Sequence, residues 1–322
     1  MLPSDLEALL KRVNFSNLAE AQKRLERLAG EPAVTLALVH ISQAMGDLLA
    51  ESAAPDATLV HLERFAQARG SHWELYNHFR EHPAALESFI GVVSSSNYLA
   101  DVLVRNPEYL PIIYNSPLLK TVKTEEQFQK ELVDNSKAFH TVTSRIDSIR
   151  RYRRQEILRI GAADILGYYN LKEVTEQLSR LADVVVANCL VEVSMETKDP
   201  GFFVLGLGKL GGNELNYSSD IDLIFVTEDI DRLDSATHVA RELTHVLGEF
   251  TSEGFLYRVD LRLRPYGSAG SLVVSTTMLD EYLATKADPA ERQAMLKARP
   301  IAGSIETANA FMEQIRPAIY AD

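Results

Sequence analysis

The segment GLGKLGGNELNYSSDIDLIFV, residues 206–226, joins two apolar runs through a link too short and too polar for a crossover helix. Gly206, Gly208 and Gly211 satisfy G-x-G-x-x-G, and Glu228 stands about twenty residues beyond Gly206, where a dinucleotide fold puts its ribose-binding acid. The helix that such a fold needs is missing. Gly212, Asn213, Asn216, Ser218 and Ser219 fill the stretch before Asp220, and all are poor helix formers. A Walker A loop fails as well, because Lys209 is not followed by Ser or Thr. The glycines therefore serve something other than a dinucleotide.

The carboxylates after them suggest what. Side chains alternate along a strand, so Asp220 and Asp222 share one face while Ile221, Leu223 and Phe225 point to the core. Two carboxylates on one face repel unless a positive charge lies between them. A divalent cation does this, and Mg²⁺ takes oxygen ligands with waters and phosphates completing its shell. Asp229-Ile230-Asp231 repeats the spacing outside an apolar strand and reads as an exposed loop. A further strand is expected in FLYRVDLRLRP, residues 255–265. Its alternation puts Arg258, Asp260, Arg262 and Arg264 on one face and Tyr257, Val259, Leu261 and Leu263 on the other. Asp260 then completes a metal triad, and the arginines hold phosphate oxygens by paired hydrogen bonds. The bland alternative is an edge-strand salt-bridge ladder. Backbone N–H groups at Gly208, Gly211 and Gly212 can approach a phosphate closely. Lys209 adds a point charge, Ser218 or Ser219 donates to phosphate or orients the aspartates, and Lys297 and Arg299 are further phosphate candidates. The chemistry indicated is nucleotidyl transfer.

Residues 1–135 read as a helical domain. Leu6, Leu9, Leu10 and Val13 keep helical spacing, as do Leu18, Ala21, Leu25 and Leu28 ahead of Gly30. Later helices are expected to open at Pro83 and Pro107. The loose echo between residues 80–86 and 105–110 is too degenerate for a solenoid. Two long helices, 136–167 and 170–196, form a second segment, 136–197, expected to pack on the catalytic domain. In the first of them, Arg150, Arg151, Arg153 and Arg154 interrupt a stripe of Ile146, Ile149, Ile157 and Ile160. Either this is a solvated basic face, or Arg150, Arg153 or Arg154 turns toward an anionic site. A turn at Lys198-Asp199-Pro200-Gly201 opens the catalytic domain, 198–322. There, strands at 202–208, 222–227, 255–265 and 271–275 mix with helices near 234–250, 276–286 and 305–316. The fold class is α+β, a sheet domain preceded by a large all-α domain. His238 and His245 read as ordinary helix residues rather than metal ligands.

A net charge of −12 argues against a general nucleic-acid binder, though not against a nucleotide in a local basic pocket. Cys189 is the single cysteine, which excludes an internal disulfide and a cysteine-rich zinc site and fits a reducing compartment. The N-terminus does not read as a secretory signal, and no apolar run approaches the ~18 residues of a membrane span. The expectation is a cytoplasmic protein with no membrane partner.

Taken together, GLGKLGGNELNYSSDIDLIF, YRVDLRLRPYGSAG, AMLKARPIAG and RRYRRQEILRIGAADILG resemble the glutamine synthetase adenylyltransferase/adenylyl-removing enzyme family. More broadly, the glycine turn, D-x-D and later Asp are similar to the DNA polymerase β-like nucleotidyltransferase superfamily. The resemblance covers residues 85–322 well and the first eighty weakly. It implies a polymerase β-like sheet domain, with Mg²⁺ at Asp220, Asp222 and Asp260. The family carries two such catalytic halves. ELNYSSDIDLIF and YRVDLRLRP resemble the first, which removes AMP from a glutamine synthetase tyrosine by phosphorolysis, giving ADP. The second half attaches AMP from ATP, so adenylylation is the alternative direction. A small-molecule nucleotidyltransferase and a catalytically silent nucleotide-binding regulatory module are alternatives of other classes. The resemblance also implies glutamine synthetase, ATP, ADP and phosphate as partners, and a PII signalling protein for a full-length enzyme. Two departures stand out. The family continues C-terminally beyond IRPAIYAD, and it often has Trp-Glu-Arg where this chain has Ala290-Glu291-Arg292.

Overall fold

The computed structural model describes residues 2–194 and 201–320. The turn expected at Lys198-Asp199-Pro200 lies outside them. The chain divides into two compact units, Met1–Thr121 with Ile157–Asn170, and Val122–Glu156 with Leu171–Asp322.

The first unit is built of helices. Proline opens those at Pro32–Glu51, Pro55–Arg69 and Pro83–Ser95, where its missing N–H would have no helical partner in any case. Asn17, Ser71 and Ser96 cap others by accepting from backbone N–H groups of the first turn. Pro107 opens only a single 3₁₀ turn, and the α-helix after it begins at Leu110. The core centres on Phe65, Phe79 and Phe89, whose rings pack 4.7 and 5.8 Å apart, while the buried Tyr76 hydroxyl donates to the Leu28 carbonyl. Helix Pro32–Glu51 corrects one expectation from sequence: by length and composition alone it is long and apolar enough to cross a membrane. Within the unit it buries Leu38, Ile41, Met45 and Leu49 against the helices Ser4–Arg12 and His72–Glu81.

The second unit is α+β. Its strands are β1 (Phe202–Leu207), β2 (Ile221–Thr227), β3 (Val259–Asp260), β4 (Val273–Ser275) and β5 (Arg299–Gly303). The sheet runs β3-β2-β1-β5, with β4 following β3 along the same edge of β2. β1 is antiparallel to β2 and β5, whereas β3 and β4 are parallel to β2. All six β1 residues are buried because both faces are covered, which is why FFVLGL reads as a continuous apolar run. On one face Phe203, Leu205, Ile224 and Val226 join Leu279, Phe311 and Ile315 from the helices Thr276–Thr285 and Ile305–Ile319. Helices Leu171–Ser194 and Leu233–Gly248 also belong to this unit, and the latter buries Val239, Leu243 and Leu247. His238 and His245 lie on it as helix residues. Asp229 to Asp231 is exposed, and the Asp229 carboxylate accepts from the Asp231 N–H, which closes the turn.

The expected strand 255–265 is corrected most. Only Val259 and Asp260 enter the ladder. After Asp260 the chain leaves the edge of β2 as a loop, and it returns at Val273 opposite Phe225. Period-two alternation in residues 257–264 therefore does not continue as a pleated face. Conversely β5 falls in ARPIAG, where Pro300 and Gly303 hide a strand.

Candidate active site

The register of the sheet brings the acids together. Asp222, the second residue of β2, is opposite Asp260 on β3. Neighbouring strands lie about 4.8 Å apart, so the two side chains leave the same face side by side. Asp220 precedes β2 by one residue and shares that face. The Asp222 carboxyl is held above the usual carboxylate range, first by burial and then by the charges of Asp260 and Asp220. Asp260 is shifted down, mainly by hydrogen bonds from the Arg262 side chain. Arg262 Nε lies 2.9 Å from Asp260 Oδ2, and the Arg262 backbone N–H donates to Oδ1 at 2.8 Å. Arg258 Nε donates to Asp220 at 2.6 Å and its Nη2 to the Ser218 carbonyl at 2.8 Å. Each outer carboxylate thus has a guanidinium, and the middle one has none among the described residues.

This donor set suits a hard divalent cation, being oxygen only, negative, and under like-charge strain that a cation relieves. Among the described residues no three His, Cys, Asp or Glu side chains converge as a ready ligand cage. Arg258 holds one oxygen of Asp220 and Arg262 both oxygens of Asp260, so a cation here would compete with Arg262 for Asp260.

The glycines divide their work. Gly208 starts the single helical turn Gly208–Gly211 with φ +54°, and a Cβ there would stand 2.4 Å from Asp222 Oδ2. Its bareness lets the central carboxylate approach the turn. Gly211 has another reason: a Cβ would meet the Lys297 carbonyl oxygen at 2.2 Å, so it admits the segment leading into β5. Gly212 is less constrained, since an added Cβ would meet only side-chain atoms, Lys297 Cδ at 3.0 Å and the Glu214 carboxylate at 3.3 Å. Lys209 is exposed and acts on Asp222 through its charge. The Ser218 carbonyl receives Arg258, and the Ser219 hydroxyl donates to Asn216 Oδ1 at 2.7 Å within the turn before β2.

Other expected phosphate ligands are engaged elsewhere. Arg264 donates to the carbonyls of Leu261, Ser268, Gly270 and Ser271, bracing the loop after β3 from within. Lys297 pairs with Glu214 at 2.7 Å. On helix Val142–Ile165, Arg150 pairs with Asp147 and Glu249, and Arg151 and Arg154 with Glu253. The Arg153 guanidinium lies 4.4 Å from the Tyr257 ring centroid. The arginine run is thus neither a bare solvated face nor aimed at the three acids, because most of it is spent on Glu249, Glu253 and Tyr257. The cations beside the acids are Arg258, Arg262 and Lys209.

Arg299 uncovers a residue that sequence reasoning passed over. It contacts the buried Asp183 at 2.8 Å and the Leu210 carbonyl at 3.0 Å. The signal was an acid inside the apolar run LADVVVANCL. Burial pushes the Asp183 carboxyl up to about 7, against the pull of Arg299. A carboxyl raised this way contributes stability below its ordinary value, and loses it as pH rises through about 7. Arg299→Ala is expected to cost about 3 kcal/mol at pH 8, where the buried charge loses its partner. The cost should be smaller at pH 5, where Asp183 is protonated. Urea unfolding at the two pH values checks this, and an equal or larger loss at pH 5 would count against it.

Residues 86–314 match the family of glutamate-ammonia ligase adenylyltransferases. A bifunctional glutamine synthetase adenylyltransferase/adenylyl-removing enzyme of Neisseria meningitidis serogroup A / serotype 4A is 33% identical over 84% of this chain and 31% of its own length. Its namesake in Thioalkalivibrio sulfidiphilus is 30% identical over 95% of this chain and 35% of its own length. The one in Nitrosococcus oceani is 33% identical over 73% and 27% respectively. The chain thus spans about a third of the length of such relatives.

Proposed function

The chain belongs to the glutamate-ammonia ligase adenylyltransferase family, and within it we propose that this chain carries out Mg²⁺-dependent nucleotidyl transfer at Asp220, Asp222 and Asp260, removing AMP from an adenylylated tyrosine of glutamine synthetase. The carrying observation is the pairing of Asp222 with Asp260 across parallel strands, two residues from Asp220 on the shared face. That placement, on a small mixed sheet after a glycine turn, also supports reading the domain as polymerase β-like.

Asp220, Asp222 and Asp260 would hold the cation, which when bound supplies charge stabilisation to the entering and leaving oxygens. Arg258 and Arg262, released from Asp220 and Asp260, bind phosphate oxygens, and Lys209 adds its charge from the glycine turn. An oxygen of hydrogen phosphate attacks the α-phosphorus, and the bond from phosphorus to the tyrosine oxygen breaks. ADP forms, and the proton carried by the phosphate ends on the phenol. Hydrogen phosphate is already anionic at neutral pH, so this direction makes little demand for a general base.

Two segments support this direction over AMP attachment from ATP: ELNYSSDIDLIF and YRVDLRLRP resemble the deadenylylating half of the family. The three acids, intact and sharing one face, speak against a silent binding module. In a longer protein, a PII-type regulator would act on this balance. The test uses two reactions. One holds adenylylated glutamine synthetase, Mg²⁺ and orthophosphate and follows ADP; the other holds unmodified synthetase and labelled ATP. Phosphate-dependent ADP release supports the proposal. Label transfer from ATP, with no ADP release in the first, reverses the direction.

A further inference from the structure

Among the described residues two non-glycines have positive φ, Asn213 and Tyr266, and each sits in a loop that adjoins the acids. Asn tolerates the left-handed region, but a bulky aromatic there is an outlier. Tyr266 has φ +61° and ψ +16°, and Gly267 follows at φ +59°. Two successive left-handed residues are what Asn-Gly or Gly-Gly provides cheaply, so turn geometry does not explain a tyrosine. Core packing does not explain it either, because Tyr266 is 63% exposed.

The surroundings hold it there. The loop leaves β3 directly after Asp260 and is braced by Arg264 on four carbonyls. Gly270 lies so close to Pro265 that a Cβ would stand 1.9 Å from its carbonyl oxygen. The Tyr266 ring meets Tyr282 edge-on at 4.7 Å, and the Tyr282 hydroxyl donates to Glu291 at 2.6 Å. A braced loop thus keeps a largely exposed aromatic ring at a conformational cost, in the segment that follows Asp260. Cost retained without burial is a mark of a functional contact.

We propose that Tyr266 is the platform on which the nucleobase of the bound nucleotide stacks, an inference that rests on the nucleotide-transfer reading above. An aromatic face accepts a base at low entropic cost, and a ring already fixed by its loop accepts it at lower cost still.

The test compares binding of ADP and of inorganic pyrophosphate, both with Mg²⁺, to the wild-type chain and to Tyr266→Phe, Tyr266→Asn and Tyr266→Gly. Asn and Gly are expected to weaken ADP about five- to hundredfold, the range of base–aromatic stacking. They should leave pyrophosphate affinity unchanged, and Phe should bind ADP as the wild type does. The ligand-free thermal midpoint should not fall for Asn, since the turn geometry suits it. ADP affinity unchanged in Asn and Gly, or lost together with pyrophosphate affinity, overturns the inference alone. A loss in Phe equal to that in Gly overturns it too. A wild-type chain that binds neither ligand overturns the nucleotide reading, and the inference with it.

Discussion

Asp222→Asn is expected to lower turnover about a thousandfold or more while leaving the protein at least as stable as the wild type at neutral pH. The two effects come from one arrangement. Asp222 lies between Asp220 and Asp260 and has no guanidinium of its own, so it is the carboxylate whose charge is least compensated. A carboxyl with a raised folded-state pKa stabilises the fold only below its ordinary range, and that contribution is lost as pH rises. Asparagine keeps the shape and removes the unfavourable charge. It also removes a cation ligand, and metal-assisted charge stabilisation is among the largest single contributions to such a reaction. Phosphate-dependent ADP release measures the first effect and urea unfolding the second. Turnover within a few-fold of wild type would remove Asp222 from the centre of the mechanism. A large loss of stability would show that the charge is structural.

Gly211→Ala acts on the scaffold instead. A Cβ at this position would stand 2.2 Å from the Lys297 carbonyl and 2.8 Å from that of Gly206, both backbone atoms of the sheet region. Neither is the movable end of a side chain, so the glycine turn and the segment entering β5 must separate. A loss of about 4 kcal/mol is expected, at the upper end for a single substitution. Gly248→Ala is the control, since nothing lies within 4 Å of the Cβ it would add. Equal unfolding midpoints for the two variants would show that the close approach at Gly211 relaxes at little cost.

These two positions also show what could be read from the chain. That Asp222 and Asp260 come together was foreseeable, because a polar pair at the start of an apolar strand and an acid between arginines are both costly unless used. The α+β class followed from apolar runs set between helical patterns. Alternation misled at Arg264. Period two describes a strand only while it has a partner, and the edge of β2 is shared between β3 and β4 with a loop between them. Arg264 therefore binds carbonyls of its own loop. The arginine run at 150–154 was ambiguous for another reason. Its partners, Glu249 and Glu253, lie about a hundred residues away, and no local pattern announces them. Glycine spacing in GLGKLGG suggested one shared role, whereas contacts assign Gly208 to Asp222 and Gly211 to the Lys297 backbone. Asp183 and Tyr266 were missed because burial against Arg299 and a left-handed backbone are properties of the folded chain.

The claim on which the rest depends is that the three carboxylates hold a divalent cation. Mn²⁺ binding followed by electron paramagnetic resonance, with ADP present, tests it most directly. Saturable Mn²⁺ binding that Mg²⁺ displaces, and that Asp222→Asn abolishes while its fold persists, is the result expected. No Mn²⁺ binding, or binding that Asp222→Asn leaves unchanged, would contradict the account.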